Sequence, residues 1–207
     1  MGVTAFYAGS MTSTASRARR LRRLLYSGAL FVAVCIPAGS AVAANVNGST
    51  TANVTVNGGT ISFCSAPPSV SFGDVALSGG GETIQADAAL DVCNATGGRT
   101  GWSISATSTP FMNGSYALPL AATSIRSVPL VTCDPGSQCT GITDSVSYPV
   151  TIPAGTTPPT PAIVFAAGAG SGTGNQTVTS VFSVVVPAGA PPGAYTANWV
   201  FSIALGP

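Results

Sequence analysis

The chain has 207 residues, of which 6% are charged, with no histidine and seven basic residues, all of them arginine. Five of the arginines fall between residues 17 and 23; the rest of the chain carries Arg99 and Arg126 against six carboxylates, a net charge of −4 (2 − 6). With no lysine and no basic patch to track phosphates, nucleic acid is excluded as a partner, and the usual general bases are scarce.

The first stretch reads as an address. The basic run Arg17-Ala-Arg-Arg-Leu-Arg-Arg23 precedes an apolar run, Leu24 to Ile36, and then small residues through Ala41-Val-Ala-Ala44. A basic n-region, a short h-region and an A-x-A-like site make residues 1–43 a signal peptide, with Met11 a second candidate initiator. Arg22-Arg23-Leu24-Leu25 faintly resembles a twin-arginine signal. Cys35 follows Val34, where a lipid anchor requires a small residue, so it belongs to the h-region. Cleavage at Ala43 or Ala44 leaves residues 44–207, about 164 residues, one domain's worth of core, with no membrane segment expected.

From Ala44 the pattern is strand, turn, strand. Val54-Thr-Val56 runs into Asn57-Gly58-Gly59, and Thr60 to Cys64 continues beyond, the chemistry of a hairpin. Ser69 to Phe72, a Gly73-Asp74 turn and Val75 to Leu77 read as a second strand pair. Thr83 to Val92 is expected to be a strand, because Ala86, Ala88, Leu90 and Val92 share one parity. Gly97-Gly98 turns into the strand Trp102 to Ala106, and Pro149 to Pro161 is expected to be an irregular surface connection. Ile163 to Phe165, Thr177 to Val186 and Tyr195 to Leu205 are further strands. In the last of these Tyr195, Ala197, Trp199, Phe201, Ile203 and Leu205 share one face, an apolar strip that requires a covering sheet. No helix is expected: the fold class is all-β, an antiparallel β-sandwich in a single domain.

Four cysteines follow the leader, Cys64, Cys93, Cys133 and Cys139, and allow three pairings. Cys133-Asp-Pro-Gly-Ser-Gln-Cys139 contains a Pro-Gly turn that brings its ends together, which pairs Cys133 with Cys139 and, by elimination, Cys64 with Cys93. The spacing is not that of zinc knuckles, so no metal is expected. Asp87 and Asp91 are the one conceivable carboxylate pair; on an alternating strand they read as solvated carboxylates. Gly168-Ala-Gly-Ser-Gly-Thr-Gly174 lacks the lysine and following helix of a phosphate loop and reads as a flexible hairpin or bulge. No catalytic residue and no cofactor is expected, and the protein is not expected to be an enzyme.

Ser69 to Leu77, Leu90-Asp-Val-Cys-Asn94, and Gly97 through Gly101-Trp102-Ser103-Ile104 resemble the first half of the WxL domain of Gram-positive cell-surface proteins. Ile163 to Gly174, Val184-Val-Val-Pro187, Gly193-Ala-Tyr195 and the closing Gly-Pro are similar to its second half. The resemblance covers roughly residues 60–207. Trp102-Ser103-Ile104 carries isoleucine in place of the first motif's leucine, and Phe201-Ser202-Ile203 falls where the second tripeptide would. The resemblance implies a domain over residues 44–207 that binds peptidoglycan or another cell-wall polymer without a covalent link. With no LPxTG-type sorting signal seen, the protein is expected to be secreted and held at the wall non-covalently. The alternative is a structural or adhesive subunit of a surface assembly, paired with other surface proteins through strand edges. Trp102 and Trp199 could stack on sugars, but their alternation favours the core.

Overall fold

Alternating β-branched and small residues, broken by glycine and proline, favour pleated strands over helix, and the fold is all-β. The computed structural model describes residues 50–206; the expected signal peptide lies outside them. In chain order the strands are β1 (Ile61–Phe63), β2 (Glu82–Asn94), β3 (Trp102–Ser108), β4 (Met112–Asn113), β5 (Tyr116–Ala117) and β6 (Thr123–Ile125). They continue with β7 (Leu130–Cys133), β8 (Val150–Thr151), β9 (Ala162–Ala167), β10 (Gln176–Val186) and β11 (Trp199–Leu205).

Two antiparallel sheets carry the fold. The larger runs β1-β2-β10-β6-β8, with β7 joining the same edge of β10 ahead of β6. The smaller runs β11-β3-β9, and β4 and β5 form a separate hairpin. The long β2–β10 ladder pairs Glu82 with Val186 and Val92 with Gln176. This register puts Ala88, Leu90 and Val92 on the same inner face as Val178 and Phe182. Trp102, Ile104 and Ala106 of β3 and Val164, Phe165 and Ala167 of β9 meet them from the smaller sheet in one buried cluster. A second cluster, around Leu118, Ala122, Val184 and Val186, closes the other end.

Several expectations need correction. Val54-Thr-Val56 forms no strand and pairs with none of the described residues; the chain instead enters the sheet at β1, which pairs with β2. The hairpin pattern at Asn57-Gly58-Gly59 loses to this longer-range pairing, in which the Gly59 N–H donates to the Ala95 carbonyl at 2.8 Å. Ser69 to Leu77 is irregular too. Pro149 to Pro161 is mostly irregular as expected but contains β8, and Ile152 beside it is fully buried. Leu205, expected on the inner strip, is 57% exposed because β11 is an edge strand and its end overhangs the core.

Both disulfides join the expected partners, Cys64–Cys93 with Cα atoms 5.1 Å apart and Cys133–Cys139 with 5.9 Å. Such bonds persist in oxidising compartments.

Candidate functional site

The residues of the two tripeptides come together on neighbouring strands. Trp102, Ser103 and Ile104 lie on β3 and Phe201, Ser202 and Ile203 on β11, with Ile203 opposite Ile104 and Leu205 opposite Trp102. Trp102 is 1% exposed, packs on Phe165 at 5.2 Å between ring centroids, and donates its indole N–H to the Gly172 carbonyl at 2.7 Å. That carbonyl also accepts from the Asn94 amide at 2.8 Å. The loop Gly168–Gly174 is therefore a clasp over Trp102 rather than the flexible hairpin its composition implied. Glycine is required at 172, where φ is +71° and a Cβ would meet the indole.

Trp199 is half-buried in an aromatic cluster. Phe182 lies tilted against it at 4.8 Å, and Phe72, Phe111 and Phe201 present edges at 6.0 to 6.3 Å. Edge-to-face rings at such spacings are a favourable core arrangement. The indole N–H of Trp199 has no acceptor among the described residues. Trp102 and Ile104 are in the core and Trp199, Phe201 and Ile203 pack against it, whereas Ser202 is exposed, so the apolar motif side chains serve packing.

Open surface instead lies beside them. The irregular segment Val70–Leu77 crosses the end of the larger sheet without pairing to it, leaving a groove of about 690 Å³. Ile84, Val184 and Val186 form its floor, and Phe72, Phe111 and Tyr195 line it. Its far wall is the turn Ala190–Tyr195, pinned where the Tyr195 hydroxyl donates to the Pro191 carbonyl at 2.9 Å and the Asn113 amide donates to the Pro192 carbonyl at 3.2 Å. Exposed Ser71 and Asp74 supply polar groups at the rim. A concave, mostly apolar site with a few polar groups is the usual form of a binding groove. Next to it a smaller cleft, about 400 Å³, separates Pro67–Phe72 from Tyr195–Phe201. The sequence pattern marked Ser69–Leu77 as strand and so concealed both hollows.

The carboxylates are arranged differently from the sequence-based expectation. Asp87 is exposed, and four residues along a strand place it about 13 Å from Asp91. Asp91 instead faces Asp134, their oxygens and the Cys64 sulfur lying within 4.8 Å of one another. Desolvation holds the Asp91 carboxyl above its ordinary value, with the charge of Asp134 and a hydrogen bond to it adding to the shift. The Cys64 sulfur is committed to its disulfide, which leaves two carboxylates and no third ligand among the described residues. Asp134 also accepts from the Thr177 hydroxyl at 2.9 Å.

Asp144, unremarked in the sequence, is structural. It accepts the Val146 N–H at 3.0 Å, the Ala166 N–H at 3.1 Å and the Tyr148 hydroxyl at 2.6 Å, tying the 144–148 turn to β9. Burial raises the Tyr148 hydroxyl pKa, and the hydrogen bond to Asp144 and its charge raise it further. Its one forward signal was Asp at the first position of a turn, where such side chains bond the backbone two residues on.

Compared with protein-family models, curated proteins and solved structures, the chain finds no match.

Proposed function

We propose that the protein is a non-catalytic, secreted module held non-covalently at the cell wall, with a wall polymer such as peptidoglycan lying in the groove between Val70–Leu77 and Ala190–Tyr195. The observation that carries this reading is the groove itself, about 690 Å³ and lined by Phe72, Phe111 and Tyr195, with Ser71 and Asp74 at its rim. Aromatic walls and a few polar groups suit the alternating apolar and hydroxyl faces of a sugar chain. Asp74 is the one carboxylate among the lining residues, and a lone exposed acid lacks the partner that glycoside hydrolysis needs. The two disulfides and the basic, then apolar, opening of the chain support export.

The test is retention on purified peptidoglycan. The protein should co-sediment with it, and Asp74→Ala, an exposed change, should weaken retention with an unaltered melting temperature. No retention of the parent protein, or equal retention of the variant, refutes the groove assignment. A second reading, a subunit of a surface assembly, is favoured by one observation, the edge of β11 that no described strand pairs.

A further inference from the structure

In β11 the backbone groups divide cleanly between two sides. The Gly206 N–H donates to the Gly101 carbonyl at 3.0 Å and the Thr109 N–H to the Asn198 carbonyl at 2.9 Å. With Val200 opposite Thr107 and Ser202 opposite Ser105, alternation in an antiparallel ladder turns the even-numbered residues toward β3. The N–H and C=O groups of Ala197, Trp199, Phe201, Ile203 and Leu205 therefore point the other way. No described residue pairs with them: β1 comes near β11, but the two share no ladder.

The segment facing this edge across the smaller cleft begins Pro67-Pro68, which lacks the N–H groups that would complete the sheet. Natural edges are commonly protected by charge, yet neither Tyr195–Leu205 nor Pro67–Phe72 contains a charged residue.

The same chain carries a segment of matching chemistry. Asn53-Val-Thr-Val-Asn57 has strand alternation, no charge and no partner among the described residues, and Val54 and Val56 are 86% and 85% exposed on one face. It leaves the fold beyond Gly58–Thr60, at the end where β2 finishes and Leu205 lies opposite Trp102. The cleft is at the other end of β11, about 20 Å away for six residues of strand.

We propose that Asn53–Asn57 of one copy adds as an extra strand to the open edge of β11 in a second copy, along Ala197–Phe201, joining the copies head to tail. Main-chain hydrogen bonds provide the pairing, and Val54 and Val56 enter the cleft beside Phe72 and Phe201. Donor segment and acceptor edge are different surfaces at opposite ends of the molecule, so the contact is heterologous and leaves one of each free at the ends of a growing row. The proposal deepens the second reading above and does not depend on wall binding.

Sedimentation velocity over a dilution series, combined with amide hydrogen exchange, tests it on the oxidised protein. The parent protein should form larger species as concentration rises, with the Trp199 and Phe201 amides becoming protected in them. Val54→Lys/Val56→Lys changes two exposed side chains, so it should keep the parent melting temperature, sediment as a monomer and exchange those amides rapidly. A parent protein that stays monomeric overturns the proposal, as do larger species that persist in the double variant. Protection of the same amides in a monomer, the sign of a copy's own segment folding back, overturns it as well. Peptidoglycan retention of the double variant, measured separately, should equal that of the parent; its failure for both proteins refutes the wall reading and leaves assembly standing.

Discussion

Gly172→Ala tests whether the glycine-rich loop is a clasp on the core. Gly172 has φ +71°, a conformation that costs an L residue about 1–2 kcal/mol. An added Cβ would also lie 2.5 Å from Trp102 Nε1 and 2.9 Å from Ala167 Cβ, both on side chains buried to 1% exposure or less. If the loop stays, the core is overpacked by about 1–3 kcal/mol. If the loop lifts, the Trp102 indole and the Asn94 amide lose their shared acceptor, at about 1–3 kcal/mol per buried donor. These relaxations are alternatives: with the backbone strain, overpacking amounts to about 2–5 kcal/mol and lifting, which orphans two donors, to about 3–8 kcal/mol, so the cheaper, about 2–5 kcal/mol, is expected. Gly170 supplies the control, with φ +81° and nothing within 4 Å of the added atom. Gly170→Ala should lose only about 1–2 kcal/mol. Urea unfolding followed by circular dichroism gives both values, and near-ultraviolet signals report on Trp102. Equal losses for the two variants would show that the loop does not grip the indole.

Phe201→Ala should destabilise the protein by about 2–3 kcal/mol, below the usual 3–5 for a fully buried ring because Phe201 is half-buried on an edge strand. An unchanged melting temperature would remove Phe201 from the core. The unfolded, unreduced protein comprising residues 44–207 should titrate no free thiol. Reducing both bonds should then cost about 3–4 kcal/mol for the Cys64–Cys93 loop and about 2–3 for the shorter one; two reactive thiols before reduction would remove one bridge. Because the Asp91 pKa is raised in the folded state, the native protein holds that proton more tightly than the unfolded chain, and stability falls as pH rises through the window just above 3.8. Asp91→Asn replaces the repulsion with an amide that can donate to Asp134, so it should abolish this fall and be more stable at neutral pH. Identical melting profiles for parent and variant over the acid range would refute the carboxylate contact.

Much of the fold was legible in the sequence because strands buried on one face advertise themselves by parity. Glu82–Asn94, Gln176–Val186 and Trp199–Leu205 are long enough for a period of two to be read without ambiguity. The disulfides were legible too, since a six-residue separation with a Pro-Gly turn closes one bridge and arithmetic leaves the other. What parity cannot say is whether a strand-like segment finds a neighbour. Val54-Thr-Val56 and Ser69–Phe72 have the pattern but no partner among the described residues, because β1 takes the edge of β2 and Pro67-Pro68 offers no N–H to β11. The short strands between Thr123 and Thr151 are too brief to carry a period and exist only because β10 and β6 offer them edges. Local residue chemistry thus determined the strand class, the inward faces and the covalent cross-links. Only the tertiary structure decided which backbone edges were left open, because hydrogen-bond partners in a sheet come from far along the chain. The grooves, the Asp91–Asp134 contact and the open side of β11 all follow from that long-range pairing.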